Sequence, residues 1–157
     1  ILLVEDNAND ADLVVRAWRT RQPATSIMLA TDGQAAMACL HRRGAFESVE
    51  DGQPTLVLLD LKMPRVGGLE VLRQVKTDER LKSIPVVVFT SSREEPDIRR
   101  SYQLGANAYV VKPVEFRQYV PALQELCAFW MSVNEPPPEA RPKNTSAATR
   151  LADAAAA

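Results

Sequence analysis

The feature that most constrains this chain is a repeated alternation. Five short apolar runs, residues 1–5, 26–30, 56–60, 86–90 and 108–111, are separated by stretches with the 3.6-residue periodicity of helices. The third and fourth runs are continuously apolar, as expected of parallel strands covered on both faces. Between the runs, Ala11, Val14, Val15 and Trp18 share one helical face, as do Leu69, Leu72 and Val75. Asp32-Gly33 and Gly67-Gly68 read as helix starts, and Gly105 stands where a glycine ends a helix. A βαβαβαβαβα order calls for an open, doubly wound parallel sheet with right-handed crossovers.

The alternation stops near Asn134. The last 23 residues, 135–157, hold four of the eleven prolines, eight alanines and a single large aliphatic residue, Leu151. Such a segment buries too little apolar surface to offset its ordering entropy. The expected organisation is therefore one domain over residues 1–134 and a disordered Pro/Ala-rich tail over 135–157. Residues 42–54 form a connection longer than the usual two to six residues, read as a surface insertion or a partner-contacting loop.

Charge and composition exclude several classes. Nineteen basic against twenty acidic residues give a net charge of −1, without the basic surplus that a general nucleic-acid binder needs. The longest apolar runs are far shorter than a membrane span. Cys39 and Cys127 lie inside apolar helical patterns, which suggests reduced, buried thiols and a cytoplasmic setting rather than a disulfide framework. The lone His41 cannot build a histidine metal site. No basic signal-peptide region opens the chain, and a strand at residue 1 suggests that a few native residues precede it.

In a doubly wound sheet, ligands bind at the carboxyl ends of the strands. Here those ends carry Glu5-Asp6-Asn7, Asp60, Thr90-Ser91 and Lys112-Pro113. Two unit charges about 4 Å apart interact by about 4 kcal/mol at an effective dielectric near 20. Three clustered carboxylates thus need protonation or a cation. An all-oxygen donor set favours a hard divalent ion, and Mg²⁺ suits a site that also receives phosphate. Lys112 can reach a phosphoryl oxygen and Thr90 offers a hydroxyl donor. Asp60, behind the apolar run 56–59, is the natural nucleophile for phosphoryl transfer. Singly, each of these groups is equally well read as a helix cap or a surface side chain; their coincidence at strand ends points to chemistry.

The segments Ile1-Leu2-Leu3-Val4-Glu5-Asp6-Asn7, Leu58-Leu59-Asp60-Leu61-Lys62-Met63-Pro64 with Gly67-Gly68, Val88-Phe89-Thr90-Ser91 and Tyr109-Val110-Val111-Lys112-Pro113 together resemble the receiver domain of two-component response regulators, over residues 1 to about 133. The resemblance implies a flavodoxin-like (βα)5 fold, like that of chemotaxis regulators, with five parallel strands in the order 2-1-3-4-5. It implies Asp60 as phosphoacceptor for a sensor histidine kinase. It implies Mg²⁺ bound by Asp6, Asp60 and the backbone carbonyl of Lys62, with Glu5 contributing through water. Lys112 would contact the phosphoryl group, and Pro113 would follow a cis peptide. Thr90 and Tyr109 would form the switch, which must be bistable: moving a 1:99 equilibrium to 99:1 takes about 5.5 kcal/mol.

With no second domain after Trp130, the resemblance suggests a stand-alone regulator. The run from Ser91 to Ile98, then Ser101-Tyr102, residues 104–107 and Phe129-Trp130, resemble regulators partnered with bacterial phytochromes. The last helical pattern, 115–133, carries two adjoining apolar stripes spanning about half the circumference at 100° per residue. Phe116, Tyr119, Leu123, Leu126, Phe129 and Trp130 are the candidates on it for homodimer contacts, and Pro121 should bend the helix or remove a hydrogen bond.

Three other classes fit less well. A flavin carrier of this architecture needs a phosphate cradle after the first strand, where Glu5 and Asp6 would repel phosphate. A phosphohydrolase with an aspartyl nucleophile would want a carboxylate two residues on, where Lys62 stands. A degenerate receiver serving only as a phosphorylation-independent interaction module would be expected to lack one of Asp6, Asp60, Thr90 or Lys112, and none is missing.

Overall fold

The structure, a computed structural model, describes residues 1–44 and 53–138. The central part of the 42–54 connection and the tail beyond residue 138 lie outside the described residues. Five strands, β1 (Leu2–Val4), β2 (Met28–Ala30), β3 (Val57–Leu59), β4 (Val86–Thr90) and β5 (Ala108–Val111), alternate with five helices, α1 (Ala8–Arg21), α2 (Gly33–Leu40), α3 (Gly68–Thr77), α4 (Glu95–Gln103) and α5 (Phe116–Ala128). The strands pair in parallel in the order β2-β1-β3-β4-β5, so the expected fold class and strand order both hold.

The side-chain period of two divides the sheet into two cores. Leu2, Val4, Val57, Leu59 and Val86 meet Ala36, Leu40, Val71, Leu72 and Val75 of α2 and α3. Leu3, Leu58, Val87 and Phe89 meet Ala11, Val14 and Trp18 of α1 and Tyr119, Leu123 and Cys127 of α5. This two-sided cover explains why β3 and β4 are continuously apolar in sequence.

The helices begin where local chemistry allows. Asn7 caps α1, its Oδ1 accepting from Asn9 N at 2.9 Å and Asp10 N at 3.2 Å. Asp32 caps α2 through Ala35 N at 2.8 Å and is held by Arg65 at 2.6 Å. Gly105, with φ +95°, ends the α4 turn in the left-handed conformation that glycine adopts at no steric cost. Pro121 lies inside α5, and a π-helical turn (Phe129–Val133) continues it.

The α5 surface differs from the sequence expectation. Tyr119 and Leu123, one from each stripe, are buried in the chain's own core, 6% and 0% exposed, because α1 and the sheet pack against the side of α5 that carries both. They are not available to a second copy; Leu126 and Trp130 are half-buried against the same core, and Phe116 and Phe129 are exposed. Among the described residues no helix is long and apolar enough to cross a membrane.

Candidate phosphoacceptor site

Parallel register brings the strand ends together. Asp60 N donates to Val4 O at 3.0 Å, Glu5 N to Ala30 O at 2.9 Å and Lys112 N to Thr90 O at 2.7 Å. These bonds extend the ladders by one residue and set Glu5, Asp60, Thr90 and Lys112 along one edge of the sheet. Glu5, Asp60, Thr90 and Lys112 are buried, whereas Asp6 is exposed at the rim.

Lys112 is the hub. Its Nζ donates to Glu5 Oε2 at 2.7 Å, to Asp60 Oδ2 at 2.8 Å and to Asp10 Oδ2 at 2.8 Å, which occupies all three ammonium hydrogens. The ring of Phe89 lies 5.9 Å from Nζ, a cation–π distance. Asp60 Oδ1 accepts from the backbone of Leu61 at 2.6 Å and of Lys62 at 3.3 Å, so its carboxylate is oriented from both sides. Glu5 Oε1 accepts from Asn7 N at 3.1 Å.

The titrations follow from this packing. Burial pushes the Glu5 carboxyl above its ordinary value, a tendency that Lys112 opposes. Burial disfavours the Lys112 charge, but hydrogen bonds to Asp10, Asp60 and Glu5 outweigh it and raise the ammonium above its ordinary value. Burial also raises the Tyr109 phenol. Tyr109 Oη donates to Ser92 O at 3.1 Å and Ser92 N lies 3.4 Å from Thr90 Oγ1, so the expected switch pair meets the loop after β4.

Carboxylate oxygens of Glu5, Asp6 and Asp60 all lie within 4.8 Å of one another. Such a hard, anionic oxygen set fits Mg²⁺. One expectation fails: among the described residues there is no cis peptide bond, so Lys112–Pro113 is trans. The lysine is aimed by its ladder bond to Thr90 and by three carboxylates, and the trans form is favoured for X–Pro by about 0.5–1 kcal/mol.

The site also contains a residue outside the strand-end reading. Asp10 sits in the first turn of α1, one helical turn beyond Asn7. Helical periodicity run forward from Asn7 places it over the same edge as Glu5, and that was the available signal.

A family description of the response regulator receiver domain matches residues 1–124. The chain belongs to that family. Receiver domains are signalling phosphoacceptors, not enzymes in the ordinary sense, and bind Mg²⁺ in their acidic pocket. Among curated relatives of this receiver, the probable methanogenesis regulatory protein FilR2 of Methanothrix harundinacea (strain 6Ac) is 41% identical, covering 87% of this chain and 86% of its own. Among solved structures, the phosphorylated cyanobacterial phytochrome response regulator RcpA is 37% identical with a TM-score of 0.82, covering 87% of this receiver and 96% of RcpA. The bacteriophytochrome response regulator AtBRR is 51% identical with a TM-score of 0.67, covering 85% and 96%.

Proposed function

We propose that this receiver accepts a phosphoryl group on Asp60 from a sensor histidine kinase, and that the kinase is of the phytochrome type. The observation that carries the chemistry is the convergence on Asp60 of Lys112, at 2.8 Å, and of the Glu5 and Asp6 carboxylates. The kinase assignment is supported by the likeness to AtBRR and RcpA, both phytochrome response regulators.

In the transfer, the phosphorus–nitrogen bond of a phosphohistidine breaks, an Asp60 oxygen forms the new bond to phosphorus, and the imidazole leaves with the electron pair. Glu5, Asp6, Asp60 and the Lys62 carbonyl would hold Mg²⁺, which supplies charge neutralisation at the transferring oxygens. Lys112 redirects the N–H that now meets Asp60 Oδ2 onto a phosphoryl oxygen. Thr90 donates its hydroxyl to another, and Tyr109 follows the movement of the loop after β4. The receiver's own residues thereby catalyse its phosphorylation and dephosphorylation, within a cytoplasmic signalling pathway.

We further propose a homodimer through the outer face of α5 and its π-helical turn. Phe116, Phe129 and Val133 are 65%, 49% and 70% exposed, and Leu126, Phe129 and Trp130 line a groove with Ala108, Val110 and Ala122. An exposed apolar surface of this kind marks an interface.

The test of phosphoacceptance is incubation with Mg²⁺ and a small phosphodonor, followed by intact-mass measurement. The wild type should gain one phosphoryl group and Asp60→Asn none; equal labelling of both removes Asp60 from its role.

A further inference from the structure

Asp10 belongs to the first turn of α1, yet its carboxylate hydrogen-bonds to Lys112 rather than to the N–H groups of that helix. The N-cap Asn7 already accepts from the N–H groups of Asn9 and Asp10. Glu5 accepts from Asn7 N at 3.1 Å, so the reciprocal bond of a capping box, which a carboxylate at Asp10 would ordinarily make, is taken. Asp10 Oδ2 instead accepts from Lys112 Nζ at 2.8 Å, across 102 positions of sequence.

An ammonium has three N–H donors and rotates freely unless its partners fix it. Here two of the three are held by Glu5 and Asp10, and geometry then directs the third at Asp60 Oδ2. Glu5 alone leaves Nζ free to swing about one bond; Asp10, from the α1 side, supplies the second point that fixes it. The Asp10 side chain is only 28% exposed and Lys112 7%, so water does not substitute freely for either.

We infer that Asp10 is a positioning residue for phosphoryl transfer: it anchors Lys112 so that one N–H stays aimed at the acceptor oxygen and at the phosphoryl group that replaces it. This rests on the phosphoacceptor reading of Asp60. A merely structural acid at a helix start would act through the helix dipole and leave Lys112 indifferent to it. An anchor must be felt at the ammonium itself, and must be replaceable by a neutral acceptor of the same shape.

The test uses the full chain and the variants Asp10→Ala, Asp10→Ser and Asp10→Asn, with circular dichroism to verify folding; the serine variant serves if the alanine variant does not fold. One readout is the labelling rate with a small phosphodonor and Mg²⁺. The other, taken with chelator present, is the NMR signal of the Lys112 ammonium, assigned by its loss in Lys112→Arg. The wild type should show a protected ammonium signal. Asp10→Ala and Asp10→Ser should lose that protection and label about tenfold more slowly, misplacement near a reacting group costing up to about a hundredfold. Asp10→Asn, which keeps an oxygen acceptor, should retain the signal and label within about threefold of wild type, neutral hydrogen bonds being roughly half as strong as charged ones. An unchanged ammonium signal in the folded truncations overturns the inference, as does an equal loss of rate in all three variants. Failure of the wild type to label at Asp60 overturns the phosphoacceptor reading instead, and the ammonium signal still decides whether Asp10 anchors Lys112.

Discussion

The hydroxyl of Tyr109 donates to the backbone carbonyl of Ser92 at 3.1 Å, joining the half-buried aromatic of β5 to the loop that follows Thr90. Ser92 Oγ in turn donates to Asp97 of α4. Movement of Thr90 toward a phosphoryl group would therefore pull on α4, through a loop that Tyr109 now tethers. Thr90→Val, nearly isosteric and fully buried, should still label at Asp60 while losing the phosphorylation-dependent change in hydrogen-exchange protection of α4. An undiminished change in that variant would sink the coupling.

Lys112 neutralises a cluster that otherwise repels itself. Lys112→Met should lower unfolding free energy by about 3 kcal/mol at neutral pH with chelator present, the cost of leaving buried carboxylates without their counter-charge. Millimolar Mg²⁺ should recover part of that loss, because a divalent cation replaces the missing charge. Urea unfolding with and without metal measures both, and a variant indifferent to Mg²⁺ would contradict the metal assignment.

The Glu5 carboxyl, raised by burial, imposes a pH dependence of known sign. The folded chain holds this proton more tightly than the unfolded chain, so the contribution of Glu5 is largest in acid. It is lost as pH climbs from the ordinary 4.5 through the raised folded value. Lys112, also raised, contributes stability that is fully present below its ordinary 10.5 and lost as pH rises through the folded value. Glu5→Gln mimics the protonated acid and removes the first of these dependences. In metal-free urea titrations it should gain on the wild type as pH rises from about 4.5 toward neutrality; a constant difference across that range would refute the argument.

Gly68 opens α3 directly beneath the acceptor. A Cβ there would fall inside the Asp60 carbonyl and 2.7 Å from Leu61 Cα, and neither backbone atom can move without moving the acceptor. Gly68→Ala should cost about 2 kcal/mol, in the range of overpacked sites, and should slow labelling of Asp60. At neighbouring Gly67 the nearest atom to an added Cβ is Leu61 O, at 3.7 Å, and Gly67→Ala should be tolerated. Thermal unfolding of the pair distinguishes a local clash from a general effect of losing glycine.

For association, the wild type should sediment as a dimer at micromolar concentration and Phe129→Asp as a monomer that remains folded by circular dichroism, because Phe129 is 49% exposed. A monomeric wild type rules out this interface.

Much of this protein was legible one residue at a time. The period of two or 3.6 in each segment, the continuous apolarity of β3 and β4, and the carboxylates, hydroxyl and lysine ending the strands are local properties. They sufficed for the sheet and for five of the groups in the cleft, since a parallel doubly wound topology gathers strand ends at one edge whatever the side chains do. The same reasoning passed over Asp10, which lies on a helix rather than at a strand end.

What no single segment carries is mutual placement. Lys112 meets Glu5, Asp10 and Asp60 across separations of 107, 102 and 52 residues, and those contacts depend on register and side-chain direction. The Lys112–Pro113 peptide, expected cis and found trans, follows the same rule: neighbouring ladders and charges aim the lysine, not its own dipeptide. The two stripes of α5 are equally apolar on a helical wheel. Only the packing of α1 and the sheet, which buries Tyr119 of one stripe and Leu123 of the other, separates these core residues from the outward Phe129, because burial is a property of two surfaces and a sequence displays them one at a time.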